Sequence, residues 1–196
     1  MVADKTKEKK ARIQRMLSKR LGPEYISYRQ GFNGMKLAYI EGWVAFSIAN
    51  KIFGYDGWSS EVKSVTVDFC DDIPNKFSVG ISVLVRVTLS DGTYKEDIGF
   101  GSSENQKSKV NAWEKAKKEA VTDAIKRALR QFGNALGNCC YDKLFLSEVQ
   151  KFSKTTKKNI QEWDLMRKND EDKNEVLSEG SSINLEGLDL SDNLTK

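Results

Sequence analysis

Residues 113–137, WEKAKKEAVTDAIKRALRQFGNALG, constrain the fold of this chain more than any other stretch. At 3.6 residues per turn, the apolar residues of this run recur at i, i+3, i+4 and i+7 and form one stripe. We therefore predict a long amphipathic helix that ends near Gly133 and Gly137, since glycine suits the left-handed positions that terminate helices. The stripe consists of Trp113, Ala116, Ala120, Val121, Ala124, Ile125, Ala128, Leu129 and Phe132.

The opposite face of this helix is cationic. Its basic residues are Lys115, Lys126, Arg127 and Arg130. A charged helix face is commonly just solvated. No carboxylate stands between Asp123 and Asp142 in the sequence, however, so acidic residues are not expected to balance the last two turns. An uncompensated cationic face on a rigid element favours a polyanion as its ligand.

Alternating apolar and polar residues predict three strands in the middle of the chain. The run 77–89 has a clean period of two, and 65–69 alternates in the same way. Asp91-Gly92 is a strong hairpin signal, after which Tyr94, Ile98 and Phe100 are expected to continue the buried face. One apolar face of a meander needs a cover, which the long helix can supply. The predicted fold class is α+β, an antiparallel β-meander backed by a long amphipathic helix.

The residues before the meander predict two helices and a hairpin. Residues 5–20 favour a basic helix whose apolar side has no evident partner within one subunit, and 41–53 a short amphipathic helix. Between them, residues 25–39 predict a hairpin in which Arg29 and Lys36 are interleaved with aromatic rings. Cations that contact phosphates and rings that stack on bases are what single-strand binding uses. The rings are those of Tyr25, Tyr28, Phe32 and Tyr39.

Residue usage narrows the function further. The net charge is +4, from 32 Lys+Arg and 28 Asp+Glu, with base concentrated near the start and acid near the end, as in many nucleic-acid binders. The absence of histidine removes the usual general base and imidazole metal ligand. Three cysteines make no disulfide framework and indicate a reducing compartment; Cys70 is expected in the core. No apolar run is long enough to span a membrane.

The sequence divides at about residue 150. Residues 1–150 hold every motif described above and are expected to form one domain of ordinary size. Residues 151–196 are expected to form a C-terminal extension. It would contain a short helix at 160–166, followed by a polar, acidic and disordered tail.

Several blocks of this sequence, in the same order, resemble the RAD-fifty-two family of eukaryotic proteins that anneal DNA strands in homologous recombination. The blocks cover about residues 17–143 and are very specific when taken together. The resemblance implies a DNA-binding, ring-forming domain without catalytic chemistry or cofactor, acting in double-strand break repair in the nucleus. The blocks are RLGPEYIS (20–27), YIEGW (39–43), IFGYDGW (52–58), VRVTLSDGTYKEDIGFG (85–101), KSK (107–109) and KEAVTDAIKRALRQFGNALGNC (118–139).

The resemblance also assigns DNA contacts to two surfaces. An inner groove round the ring would hold one strand by its phosphates, which positions the strand without reading its sequence. An outer surface would handle a second strand or duplex. The resemblance places Arg29, Lys126, Arg127 and Arg130 in the inner groove, and the patterns of the hairpin and of the long helix add Lys36, Tyr39 and Lys115. The resemblance places Lys76, Lys107 and Lys143 on the outer surface, and Lys109 is grouped with them because it is expected on the same exposed loop as Lys107.

The chain departs from the family pattern in two respects. Val44 and Ser147 stand where relatives often carry a basic residue. The sequence also stops soon after the annealing region, whereas familiar members continue into a long half that engages a RecA-like recombinase and the single-strand-binding replication protein. The expected partners are therefore single-stranded DNA, its complement and further copies of this chain, with the replication protein as an additional candidate. Recombinase loading stays open.

Two other functions stay open on the sequence alone. A general single-stranded RNA-binding or scaffolding module would use the same basic faces. Asp56, followed by Glu61 and Lys63, loosely imitates a metal-dependent nuclease, in which carboxylates hold a divalent metal and a lysine polarises the phosphate. An Asp-Gly turn explains the first residue and an exposed strand face explains the other two. We therefore expect no metal and treat the nuclease as the weaker alternative.

Overall fold

The computed structural model describes residues 2–31, 34–74 and 76–152, with side chains from Thr6 onward. Its helices are α1 (Val2–Ser18), α2 (Gly42–Phe53), α3 (Lys109–Arg130) and α4 (Lys143–Val149), with short 3-10 turns at Pro23–Tyr25, Asn134–Leu136 and Asn138–Tyr141. Its strands are β1 (Ser27–Gln30), β2 (Lys36–Tyr39), β3 (Trp58–Ile73), β4 (Lys76–Leu89) and β5 (Tyr94–Gln106). None of the described helices is both long and apolar enough to cross a membrane. Phe32, the helix predicted at 160–166 and the acidic tail lie outside the described residues.

The three long strands form an antiparallel meander in the order β3-β4-β5, and β1 pairs with β2 in a separate antiparallel hairpin. The turn between β4 and β5 uses the predicted Asp-Gly pair. Gly92 adopts a φ of 84°, and Asp91 accepts a hydrogen bond from the backbone N–H of Thr93 at 3.1 Å. The predicted fold class, an α+β meander backed by a long helix, is confirmed.

Helix α3 packs across β4 and β5 with a ridge of alanines that recur every four residues. Two glycines of β5 allow this close approach. A Cβ atom added to Gly99 would stand 2.1 Å from the backbone nitrogen of Ala124, and one added to Gly101 would stand 2.2 Å from the carbonyl oxygen of Ala116. The alanines are Ala112, Ala116, Ala120, Ala124 and Ala128, and the strand residues beneath them include Val79, Ile81, Val83, Val85 and Val87.

The prediction of which face of β5 is buried is wrong. Tyr94, Ile98 and Phe100 are exposed on the side of the sheet that faces away from α3. The positions that face the helix are Gly99 and Gly101, because the helix backbone lies too close to admit any side chain there. A period of two marks both faces of a strand equally well, and here the small residues face inward.

Within the described part of the chain, the edge strand β3 is only partly covered on the face that it shares with the inward side of β4. Val62, Val65 and Val67 share a face with the inward residues of β4, yet 48%, 53% and 46% of their surface is exposed. We call these three residues the valine strip. Cys70, expected in the core, is also exposed. Helix α3 packs over the other two strands and leaves this part of the face open.

Helix α1, in contrast, has a partner within the same chain. Leu17 and Leu21 are buried in the core, and Ile13 and Met16 pack against it. Arg12 donates a hydrogen bond to the carbonyl oxygen of Ile52 at 3.4 Å. The expectation that the apolar side of this helix lacks a partner within one subunit is therefore wrong.

The end of α3 also differs from the expectation. The helix stops at Arg130, and Gly133 has an extended backbone with a φ of 164°. Glycine is needed there for a different reason: a Cβ atom would stand 2.6 Å from the carbonyl oxygen of Leu17 in α1. Gly137 does adopt a left-handed φ, of 104°, and ends the turn Asn134–Leu136.

Candidate nucleic-acid interface

Cations and aromatic rings gather where the β1–β2 hairpin meets α3. Arg29 pairs with Leu37 across the hairpin, so its side chain shares a face with that of Tyr39 two residues on. The guanidinium carbon of Arg29 lies 5.8 Å from the centre of the Tyr39 ring, and Nζ of Lys126 lies 5.7 Å from the same centre. Both distances suit a cation–π contact. One tyrosine thus brings together a cation from the hairpin and a cation from the long helix.

Lys126 carries its positive charge in an unfavourable, half-buried place. Burial lowers the pKa of its ammonium below the usual range, and the charges of Arg29 and Arg127 lower that pKa further. The carboxylates of Asp123 and Glu119 act in the opposite direction. Among the described residues, none of the ion pairs includes Lys126. An anion bound at this point would stabilise the charged form of the lysine.

The two arginines at the end of α3 are held by carboxylates. Nε of Arg127 donates to Oδ2 of Asp123 at 2.6 Å, and this hydrogen bond raises the pKa of Arg127. Nη2 of Arg130 lies 3.8 Å from Oδ2 of Asp97 on β5. The expectation that the last turns are unbalanced is therefore wrong, because one carboxylate lies a turn earlier in the helix and the other reaches it from the sheet. A guanidinium carries five donors, so one carboxylate does not saturate it.

Two members of the site were not predicted. Tyr141 is exposed in the turn Asn138–Tyr141, and the guanidinium carbon of Arg130 lies 4.4 Å from the centre of its ring. Nε2 of Gln131 donates to Oδ2 of Asp97 at 3.0 Å and so holds that carboxylate beside the arginine. No local pattern indicates either contact, since both depend on how the chain folds back after α3. We call the group formed by Arg29, Tyr39, Lys126, Arg127, Arg130 and Tyr141 the inner cluster.

The structure does not bring the other two predicted groove residues into the inner cluster. Lys36 is exposed and pairs with Gln30, so alternation places it on the opposite face of the hairpin from Tyr39. Lys115 is exposed on α3, eleven residues before Lys126 and therefore about 16 Å away along the helix axis. Eleven residues are close to three turns, so Lys115 extends the same side of the helix toward its start.

Three of the predicted outer-surface lysines lie at the other end of α3. Lys76 begins β4 opposite Ile73, Lys107 follows the end of β5, and Nζ of Lys109 lies 3.6 Å from Oδ2 of Asp72. We call Lys76, Lys107 and Lys109 the outer cluster. Helix α3 has 22 residues, so this cluster and the inner one are separated by about 30 Å along the helix axis. Lys143 instead begins α4, close in sequence to Tyr141, at the inner end.

The residues of the nuclease alternative do not gather. Nζ of Lys63 lies 3.2 Å from Oε1 of Glu61 on the exposed strand β3, while Asp56 lies in the turn after α2. Within the described residues, no three histidine, cysteine, aspartate or glutamate side chains come together where a metal ion could be held. This geometry offers no support for metal-dependent cleavage.

Comparison of this sequence with known proteins identifies its relatives. Residues 9–159 match the sequence model of the "Rad52/22 family double-strand break repair protein". The chain is 55% identical over 175 residues to the DNA repair and recombination protein RAD52 of Kluyveromyces lactis. This aligned region covers 89% of this chain and 39% of that protein. It is 55% identical over 172 residues to RAD52 of Saccharomyces cerevisiae, covering 88% and 35% of the two chains. It is 52% identical over 160 residues to rad22 of Schizosaccharomyces pombe, covering 81% and 34%.

The chain thus spans well under half the length of the curated relatives it matches. The family match nevertheless runs through most of the described residues and includes both the inner and the outer cluster. The chain belongs to the Rad52/22 family of double-strand break repair proteins.

Proposed function

We propose that this chain binds single-stranded DNA along the inner cluster of a homo-oligomeric ring and anneals complementary strands during double-strand break repair by homologous recombination. The observation that carries the proposal is the convergence of Arg29 and Lys126 on the ring of Tyr39, from two separate elements of the fold. Annealing in this role takes place in the nucleus and requires neither a cofactor nor a catalytic residue.

The electrostatics of the inner cluster favour a phosphate chain as its ligand. Lys126 is charged in a half-buried place beside Arg29 and Arg127, an arrangement that opposes its own protonation. A phosphate oxygen near this lysine would offset both the burial and the repulsion. The free energy that it costs to keep Lys126 charged in the unbound protein would then be recovered when the strand binds. The rings of Tyr39 and Tyr141 add surfaces on which bases can stack without regard to sequence.

An assembly of several copies is supported by the open part of the meander. The valine strip lies on the edge strand β3, where both backbone hydrogen-bonding groups and apolar side chains are presented to solvent. Exposed edge strands of this kind pair or pack with other chains unless they are protected. A neighbouring copy of this chain would cover the strip, and continued round an axis this contact closes a ring.

The partners in this proposal are single-stranded DNA, its complementary strand and further copies of the chain. The single-strand-binding replication protein is an additional candidate that rests on the family resemblance. Loading of a RecA-like recombinase is left out of the proposal, since the chain matches only 39% or less of the relatives described above.

The test is the salt dependence of binding to a labelled single strand, a duplex and an RNA of equal length. We expect the single-stranded DNA to bind most tightly, with weak sequence preference. The log–log slope against salt should grow by about 0.7 for each phosphate neutralised. A flat salt response, or discrimination among mixed sequences beyond about tenfold, roughly 1.4 kcal/mol, would contradict a phosphate groove. Tighter binding of the RNA would favour the RNA-binding alternative instead.

A further inference from the structure

Trp43 is an exposed indole whose orientation is fixed. It lies in the first turn of α2 with 69% of its surface exposed. Its Nε1 donates a hydrogen bond to Oε2 of Glu41 at 2.6 Å, and Oε1 of the same carboxylate accepts one from Oγ of Ser27 at 3.0 Å. The carboxylate therefore ties the edge of the indole to β1, so the ring is oriented while much of its surface stays open.

The same contacts place this indole beside the inner cluster. Ser27 pairs with Tyr39 across the hairpin, so the carboxylate that holds the indole also bonds to the strand beside the tyrosine. On the other side, a Cβ atom added to Gly42 would stand 2.7 Å from Cγ2 of Thr122, which lies one turn before Lys126 on α3. The start of α2 thus lies between the two elements that supply the inner cluster.

The chemistry around Trp43 selects a base rather than a phosphate. The indole carries no positive charge and its only N–H donor is already bonded to Glu41, so it offers a phosphate little, whereas the cations of the inner cluster attract one. A strand whose phosphates follow those cations would therefore turn an uncharged group toward the indole. Every base has a π face, and stacking on an aromatic ring is a common way of holding single strands without reading sequence.

Trp58 illustrates the alternative, a tryptophan that serves the fold. Its ring stacks on Phe46 at a centroid distance of 6.4 Å, and its Nε1 donates to Asn50. Trp43 has no ring partner of this kind among the described aromatic pairs. Its anchored edge and open surface are the features of a binding platform.

We propose that Trp43 is a stacking platform for a base of the strand whose phosphates bind the inner cluster, an inference that rests on the proposed function. The ligand at this point is a nucleobase of any sequence. The contribution of the indole is a contact to the base, so it should not change the number of phosphates neutralised.

The first test compares Trp43→Ala, Trp43→Phe and the parent on two strands of equal length, one with mixed bases and one abasic. We expect Trp43→Ala to weaken binding of the base-bearing strand about tenfold, Trp43→Phe to stay within about twofold of the parent, and the salt slope to stay the same. On the abasic strand, which keeps the phosphates, all three proteins should bind alike. Tyr55→Ala is the matched control, because Tyr55 is 90% exposed beyond the other end of α2.

The second test reads the indole directly. The quenching of tryptophan emission on strand binding should be larger in the parent than in Trp43→Phe, and this reading does not depend on how the alanine variant folds. Equal quenching in the two proteins overturns the proposal. So does equal affinity of parent and Trp43→Ala for the base-bearing strand, or an equal loss on the abasic strand. If the parent itself binds neither strand, the proposed function fails rather than the stacking role alone.

Discussion

Among single residues, Lys126 shows most directly how binding and stability oppose each other. The pKa of its ammonium is lowered in the folded chain, first by burial and then by the neighbouring cations. In the pH range between the folded and unfolded pKa values, the unfolded chain binds more protons, so the free energy of unfolding rises with pH. Below that range the lysine is charged in both the folded and the unfolded chain, and the charge lowers the free energy of unfolding by the full amount that the pKa difference represents. A residue that costs stability near neutral pH is better explained by a ligand than by the fold.

We expect Lys126→Met to raise the melting temperature at pH 7 by about 1–2 °C while weakening single-strand binding about tenfold, roughly 1.4 kcal/mol. Methionine keeps an unbranched apolar side chain of similar length and removes the charge, together with the contact of Nζ with the Tyr39 ring. Thermal melts at pH 7 and near pH 10.5 check the reasoning, since the gain should shrink once the parent lysine loses its proton.

Arg127→Met is the matched comparison, because this arginine is ion-paired with Asp123 one turn earlier. Its loss should lower the melting temperature slightly, as removal of a partly exposed i,i+4 pair costs about 0.3–0.5 kcal/mol. Melting temperatures that change in the same direction for both variants would contradict the electrostatic account of Lys126.

The residues of the site differ in how far the sequence could reveal them. Lys126, Arg127 and Arg130 could be found from helical spacing alone, because all three lie within two turns of one helix. Tyr141 and Asp97 could not be found in this way. Each meets Arg130 through the tertiary fold, one from a turn after the helix and the other from a strand more than thirty residues earlier.

At the scale of elements, the order of helices and strands was predictable, but the buried face was predictable for β4 and not for β5. The alternation in β4 is reliable because large apolar residues face the helix on that strand. On β5 the same rule fails, since the contact with α3 is so close that it admits only Gly99 and Gly101. Glycine in a strand can therefore mark the most buried positions of a sheet rather than its weakest ones.

The edge strand β3 leads to a prediction about assembly. Val65 is 53% exposed in a single chain, so Val65→Glu should leave the fold of that chain intact. If another copy covers the valine strip, a buried unpaired carboxylate at that contact would cost several kcal/mol. We expect light scattering to report a multiple of 22.2 kDa for the parent and a mass near 22.2 kDa for the variant.

The control for this experiment is Val110→Glu, which adds the same charge at a valine that is 73% exposed in the first turn of α3. It should keep the mass of the parent, and circular dichroism should show unchanged strand content in both variants. A parent that is monomeric at micromolar concentration, or a Val65→Glu protein with the parental mass, would rule out the valine strip as the contact.

At the scale of the whole molecule, the structure separates two cationic surfaces that the sequence could only place by resemblance. The inner and outer clusters lie toward opposite ends of α3, about 30 Å apart along its axis. The Debye length at physiological salt is about 8 Å, so in the proposed function each cluster would attract DNA almost independently of the other. The sequence could not show this separation. The resemblance groups Lys143 with the outer lysines, but in the structure Lys143 begins α4, near the inner end of α3.

This separation predicts that annealing can be lost while first-strand binding is kept. Two phosphate chains repel each other, and a second cationic surface would raise the local concentration of the incoming strand, an effect on the rate of encounter rather than on final stability. Lys76 and Lys107 are the residues to change, since both are exposed and Lys109 is engaged by Asp72. In the Lys76→Ala, Lys107→Ala double variant, single-strand affinity should stay near the parental value while the annealing rate of complementary oligonucleotides falls severalfold.

The control is Lys143→Ala, which removes an exposed lysine at the inner end and should not reproduce this pattern. An unchanged annealing rate, or one that falls only in proportion to lost first-strand binding, would show that the outer cluster takes no separate part in annealing.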